Sequence, residues 1–143
     1  MKNAFPDFRQ ANVVVIGDLM LDRFYFGKTK RISPEAPVPV VNVERLEDIP
    51  GGAANVAMNI ASLGAKCSLS GITGQDEAAQ VLQQRLGSVS IECAFHQTVN
   101  HPTIIKSRII SAHQQLLRMD FESRFTVESA VGMTEKVTSL LVN

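Results

Sequence analysis

Two consecutive glycines, Gly51 and Gly52, open the run Gly-Gly-Ala-Ala-Asn-Val-Ala-Met-Asn-Ile-Ala-Ser-Leu-Gly of residues 51–64. Glycine adopts backbone angles that other residues avoid and has no Cβ to hold a ligand away, while the helix that follows offers unpaired N–H groups and a positive dipole end. Such a mouth suits a hydroxyl-rich or phosphorylated small molecule; a tight turn and nothing more is the alternative. Asn55 stands in the first turns of that helix, where its amide can point at whatever the glycines hold or simply brace the loop. Asp18 follows the run Asn12–Gly17. At the carboxyl end of a strand an acid can accept hydrogen bonds from substrate hydroxyls, or it can cap an Asx turn. Asp22, four residues on, is a second candidate. Lys106 and Arg108 share a face by period-2 spacing. Two cations so placed can receive a phosphate, and a solvated edge face is the competing explanation.

These residues need a scaffold, and the pattern predicts an α/β one. Asn12–Gly17 reads as a strand buried on both faces of a parallel sheet. Arg23–Lys28 and Val38–Arg45 read as two strands with only the turn-rich Arg31–Pro37 between them. A parallel unit needs a crossover helix, so this pair is expected to be a small antiparallel excursion, a lid over about residues 23–45, with its proline on an edge. In the helix after Gly52, Val56, Ile60 and Leu63 form the expected apolar side and Gly64 the stop. Lys66–Gly74 then predicts a core strand, Asp76–Leu86 a helix presenting Ala79, Val81, Leu82 and Leu86, and Val89–Phe95 a third strand. Thr103–Ile110 and Gln114–Asp120 suggest two adjoining strands joined through residues 111–113. Thr126 caps a last helix with Val127, Val131, Val137 and Leu141 along one side, which runs off the chain at Leu140–Asn143.

Composition narrows the function classes. The chain has room for one domain with a real core, at 45% hydrophobic content. Fourteen acidic and fourteen basic residues leave no net field to draw nucleic acid or an anionic membrane. Met1–Arg9 is broken by charge and proline before a signal-like apolar run forms, and no run approaches a membrane span. Cys67 and Cys93 stand singly and read as buried reduced thiols, so a cytoplasmic protein is expected. His96, His101 and His113 follow no metal-ligand spacing, and no metal site is expected. No Gly-x-Gly-x-x-Gly opens a helix after the first strand, which argues against a dinucleotide-dependent oxidoreductase.

The segment Gly51–Ala57 with Gly64 and Gly74 resembles the first signature of the ribokinase-like carbohydrate kinases, and Gly17-Asp18, the two-strand excursion and the Gly-Gly helix occur in that family's order. Val15–Arg23, Arg31–Val40 and Gln114–Arg118 resemble, more narrowly, kinases that phosphorylate D-glycero-β-D-manno-heptose 7-phosphate at its anomeric oxygen, a step toward ADP-heptose for lipopolysaccharide. The resemblance implies a partial αβα sandwich with a small antiparallel β lid over residues 1–143. It implies that Asp18, Gly51, Gly52 and Asn55 hold sugar hydroxyls, that Lys106 and Arg108 face the substrate phosphate, and that Arg31 and Glu35 on the lid close over the site. A homodimer through the lid is also implied, as are ATP and Mg²⁺ for the intact enzyme. Kinases of this kind carry a catalytic aspartate in a Gly-x-Gly-Asp motif, and none of Asp18, Asp48, Asp76 or Asp120 has that glycine frame. The chain is therefore expected to hold the sugar half of a site without its phosphoryl half, to bind neither cofactor and to be inactive alone. A non-catalytic sugar-phosphate-binding or dimerisation module is the alternative.

Overall fold

A computed structural model of the chain describes residues 6–142; Met1–Phe5, and Asn143 at the end of the expected last helix, lie outside the described residues. After a 3-10 turn at Phe8–Gln10, the strands are β1 (Asn12–Ile16), β2 (Leu19–Ile32), β3 (Pro39–Gly52), β4 (Lys66–Gly74), β5 (Glu92–Thr98), β6 (Ile104–Ser111) and β7 (Gln114–Phe121). The helices are α1 (Ala53–Ser62), α2 (Glu77–Gly87) and α3 (Val127–Val142).

The strands form two sheets. One is three-stranded and wholly parallel, in the order β1-β4-β5; the other is four-stranded, in the order β3-β2-β6-β7. Alternation along β4 and β5 separates two faces of the parallel sheet. Cys67, Leu69 and Phe95 pack with Ala54 and Ala57 of α1 and with Leu82 and Leu86 of α2 into the buried core. On the other face, Ile72 shares a cleft with Ala130 and Met133 of α3, and the His96 ring lies so close to Gly132 that a Cβ there would sit 2.1 Å from its Cε1. The result is three layers, helix, sheet and helix, with the second sheet continuing outward from Leu19 and Leu21, both fully buried.

Several expectations are corrected. β1 flanks β4 on one side only, so Val13–Val15 are half-buried and Ile16 is exposed, not enclosed on both faces. The expected excursion over residues 23–45 is longer: β2 and β3 pair antiparallel from Leu19↔Gly52 to Ile32↔Pro39, and the same sheet takes in β6, parallel to β2, and β7. The parallel pairing is possible because α1, β4, α2 and β5 intervene in sequence and supply the crossover. On α1 the buried side is Ala54 and Ala57, while Val56 and Leu63 face solvent. Ile60, the third expected apolar residue, packs against the core. The third strand starts at Glu92 and not at Val89, since Ser90 takes a positive φ of 61° that ends extended structure before it. On α3, Thr126 does accept the Ser129 N–H at 3.2 Å, but Val127, Val131 and Leu141 are exposed and the buried residue is Ser129.

β6 and β7 are joined by the two residues Ala112 and His113, with φ of 49° and 63°. Positive φ at both central positions is what a type I′ hairpin turn requires.

Candidate functional site: the glycine turn and a charged sheet face

β3 ends in the glycine pair and hands the chain to α1. Gly52 caps the helix at φ 56°, ψ −131°, a conformation suited to glycine, and a Cβ there would fall 2.5 Å from the Asp18 carbonyl oxygen. That carbonyl accepts the Ala53 N–H at 3.0 Å, so the turn after β1 and the mouth of α1 are tied together. Gly51 is needed for another reason. A Cβ at Gly51 would lie 2.5 Å from Oδ2 of Asp22, whose carboxylate therefore spreads across the bare glycine backbone.

Asp22 leads onto the face of the four-stranded sheet that looks away from the core. Register places Asp22 beside Lys106 and Phe24 beside Arg108 on the parallel β2–β6 pair, and Lys106 beside Asp120 and Arg108 beside Arg118 on β6–β7. Paired residues project to one face. Arg108 Nη1 donates to Asp22 Oδ1 at 2.5 Å and to the Lys106 carbonyl at 3.4 Å, and its guanidinium carbon stands 5.1 Å from the centre of the Phe24 ring. Arg118 donates to Asp120 at 2.9 and 3.0 Å, and Arg45 pairs with Glu47. Lys106 differs: its nearest carboxylate is Glu122 at 3.9 Å, outside hydrogen-bond reach. Among the described residues, Arg45, Arg108 and Arg118 of this face each hydrogen-bond a carboxylate, whereas Lys106 has only the longer ion pair with Glu122. Its side chain is 24% exposed and that of Arg108 20%. Because β6 is flanked on both sides, neither belongs to a solvated edge.

Of the remaining expected residues, Asn55 is exposed in the first turn of α1. Asp18 is exposed too and lines a cleft of about 350 Å³ with Ile104, Glu122, Ser123 and Arg124. Arg31 and Glu35 are not brought to the glycines. Arg31 pairs with Val40 near the far end of the β2–β3 ribbon, about 40 Å along the strand from the Leu19–Gly52 pair at ~3.3 Å per residue. Asp22 emerges as a central member of the site, and Asp120 and Glu122 join it although nothing local in the sequence marked them. The signal that finds them is period-2 alternation read jointly on β2, β6 and β7, which needs the strand pairing as well as the sequence.

Two further polar clusters hold this frame. On the core-facing side of the same sheet, Arg23 donates to Asp48 at 2.7 and 2.9 Å and to Glu77 of α2 at 3.0 and 3.1 Å. Hydrogen bonding to Asp48, above all, pushes the Arg23 guanidinium above its ordinary range despite burial. At the start of α2, Asp76 accepts the Ala79 N–H, the Thr103 N–H and the Thr103 hydroxyl at 3.0, 2.8 and 2.7 Å. Burial pushes Asp76 upward, but these three bonds outweigh it and leave its pKa below the usual carboxylate value. Among the described residues no group of three His, Cys, Asp or Glu side chains converges as metal ligands. No described helix is long and apolar enough to cross a membrane.

This fold, a layered α/β unit with a projecting β-sheet over a Gly-Gly helix mouth, is that of sugar kinases: a ribokinase from Thermotoga maritima superposes with a TM-score of 0.60 over 78% of this chain and 36% of its own, at 19% identity. The family model for pfkB carbohydrate kinases matches residues 10–126, and the chain belongs to that family. Among individual proteins, it is 59% identical over 99% of its length to the bifunctional protein HldE of Pectobacterium atrosepticum, and 55% identical over 99% to that of Proteus mirabilis. The chain spans 30% of the length of each of these relatives.

Proposed function

We propose that this chain forms the sugar-binding half of a kinase acting on D-glycero-β-D-manno-heptose 7-phosphate, the intact protein transferring a phosphoryl group from ATP to the anomeric hydroxyl. The observation that carries the reading is a loosely paired cation: Lys106, 3.9 Å from Glu122, stands on the same sheet face as Asp22, which lies over Gly51. Sugar hydroxyls would bond to Asp22, to Asn55 and to the open backbone of Gly51 and Gly52, with Asp18 at the rim, while Lys106 takes the 7-phosphate. Kinship at 54–59% identity with proteins called HldE supports the heptose assignment over other sugars.

ATP supplies the transferred group in such a reaction and Mg²⁺ neutralises its charge. The sequence carries no Gly-x-Gly-Asp, the motif expected to hold the catalytic aspartate of phosphoryl transfer. No phosphoryl-transfer step is assigned to this chain's residues. The proposed role here is to bind and orient the acceptor. The reading also includes a cytoplasmic setting and a homodimer through the lid, where Val38 and Val43 are exposed.

Titration of the chain with heptose 7-phosphate by calorimetry tests the reading. Binding is expected to weaken about tenfold or more in Lys106→Ala and in Asn55→Ala, the scale of losing a charged or a well-placed polar contact. Binding indifferent to both substitutions, or no binding, rejects it. Steady ATP-dependent turnover by the chain alone would contradict the half-site assignment.

A further inference from the structure

The two cations of β6 do not play the same part. We infer that Arg108 is a positioning residue for Asp22, acting through the carboxylate it holds over Gly51, while Lys106 serves the phosphate. This rests on the sugar-phosphate reading above and divides its site into a hydroxyl-reading arm and a phosphate arm.

One nitrogen of the Arg108 guanidinium is committed to the chain itself, and an aromatic face backs the group. Nη1 bonds Asp22 Oδ1 and the Lys106 carbonyl, and the Phe24 ring lies beneath its carbon. A planar fork fixed by an ion pair and by an aromatic face has little freedom to turn toward a new anion. Releasing that carboxylate, which is only 23% exposed, would leave Asp22 part-buried without its counter-ion, so the pair is held in place. Lys106 gives up only the 3.9 Å approach to Glu122, itself 57% exposed and free to rehydrate.

What the Arg108 pair accomplishes is read from Gly51. One oxygen of Asp22 is held by Arg108, and the other is the atom a Gly51 Cβ would strike. Arg108 thus pins the carboxylate flat over the glycine turn, with its free lone pairs directed to the space above Gly51 and Gly52. An unpinned aspartate would swing among rotamers and present the same oxygens less often.

The test uses the 143-residue chain with two probes, D-glycero-D-manno-heptose 7-phosphate and the same heptose without its phosphate, by calorimetry. Arg108→Ala is expected to weaken both sugars by the same factor, about tenfold, since it acts through hydroxyl recognition. Lys106→Ala should weaken only the phosphorylated one. Asp22→Asn combined with Arg108→Ala should bind no worse than Asp22→Asn alone, the non-additivity of residues acting as a unit. Arg108→Lys, which keeps the charge, should recover part of the loss. A loss in Arg108→Ala confined to the phosphorylated sugar, or losses that multiply in the double variant, would overturn the inference.

A ligand-free measurement stands beside it. In ¹⁵N–¹H spectra, Arg108→Ala and Asp22→Asn should move the Gly51 and Gly52 amide signals alike, and Lys106→Ala should leave them in place. Unmoved glycine signals in folded Arg108→Ala would overturn the positioning role. If the wild-type chain binds neither sugar the functional reading fails, and these spectra still decide what Arg108 does.

Discussion

Charge is confined to the ends of the parallel sheet, at Lys66 and Glu92, whereas the four-stranded sheet carries charged residues along all four of its strands. The parallel sheet is covered by helices on both faces and buries Leu69 and Phe95 with α1 and α2. The projecting sheet is anchored at its base by Leu19 and Leu21 and is open further out, with every residue of β7 exposed. One sheet holds the fold and the other presents chemistry to it. The difference matters because substitutions in the first should be read in stability, and those on the outward face of the second in binding.

The sharpest break of that division lies where the sheets meet. Gly52→Ala forces a Cβ against the Asp18 carbonyl oxygen in a conformation suited to glycine, and a loss of about 3 kcal/mol or more is expected in urea unfolding. Within the helix-covered layer, Leu82→Ala empties a fully buried site and should cost about 2–5 kcal/mol by the same measurement.

Arg23→Ala strands Asp48, only 9% exposed, and cuts the tie from the projecting sheet to α2; about 3 kcal/mol is expected for a largely buried pair, trimmed by the exposure of Glu77. Removing both partners, as in Arg23→Met with Asp48→Leu, should restore part of it.

Asp76 gives the comparison a pH dependence. Its carboxylate titrates below the ordinary value in the folded chain, so its stabilisation is present above the unfolded pKa of about 4 and fades as pH falls through the folded value. Thermal melts of the wild type should lose stability below about pH 4 more steeply than those of Asp76→Asn. At the small end, Lys106→Ala should shift stability by no more than about 0.5 kcal/mol while weakening sugar-phosphate binding. A large stability loss there would erase the distinction between the two sheets.

The parallel layer was mostly legible in the sequence. β4 is legible to the residue, because an uninterrupted small and apolar run between charged Lys66 and the Gly74 turn permits little else, and α2 follows from the spacing of Ala79, Val81, Leu82 and Leu86. On α1 hydrophobicity favours Val56, Ile60 and Leu63, of which only Ile60 packs against the core, and the fully buried positions are Ala54 and Ala57. The projecting sheet was the least legible. Its strands carry alternating charge that resembles solvent exposure until the partner strand is known, and the β2–β6 register joins residues 84 apart in sequence, such as Asp22 and Lys106. Hence Gly51, Gly52 and Lys106 stand out in the sequence as candidates by type and spacing, Asp22 as a second candidate, while Asp120 joins the charged face only through strand pairing.

The hairpin tip at Ala112 and His113 offers an engineering handle. Both residues hold a left-handed conformation that costs L-residues about 1 kcal/mol each, and neither is the Asn or Gly that turns of this type prefer. Recasting the pair as Asn-Gly would release that strain on the exposed rim, beyond the last Ser111–Gln114 rung and four positions or more from Arg108. The natural sequence therefore leaves a margin of stability unused, available to offset the cost of altering the binding face.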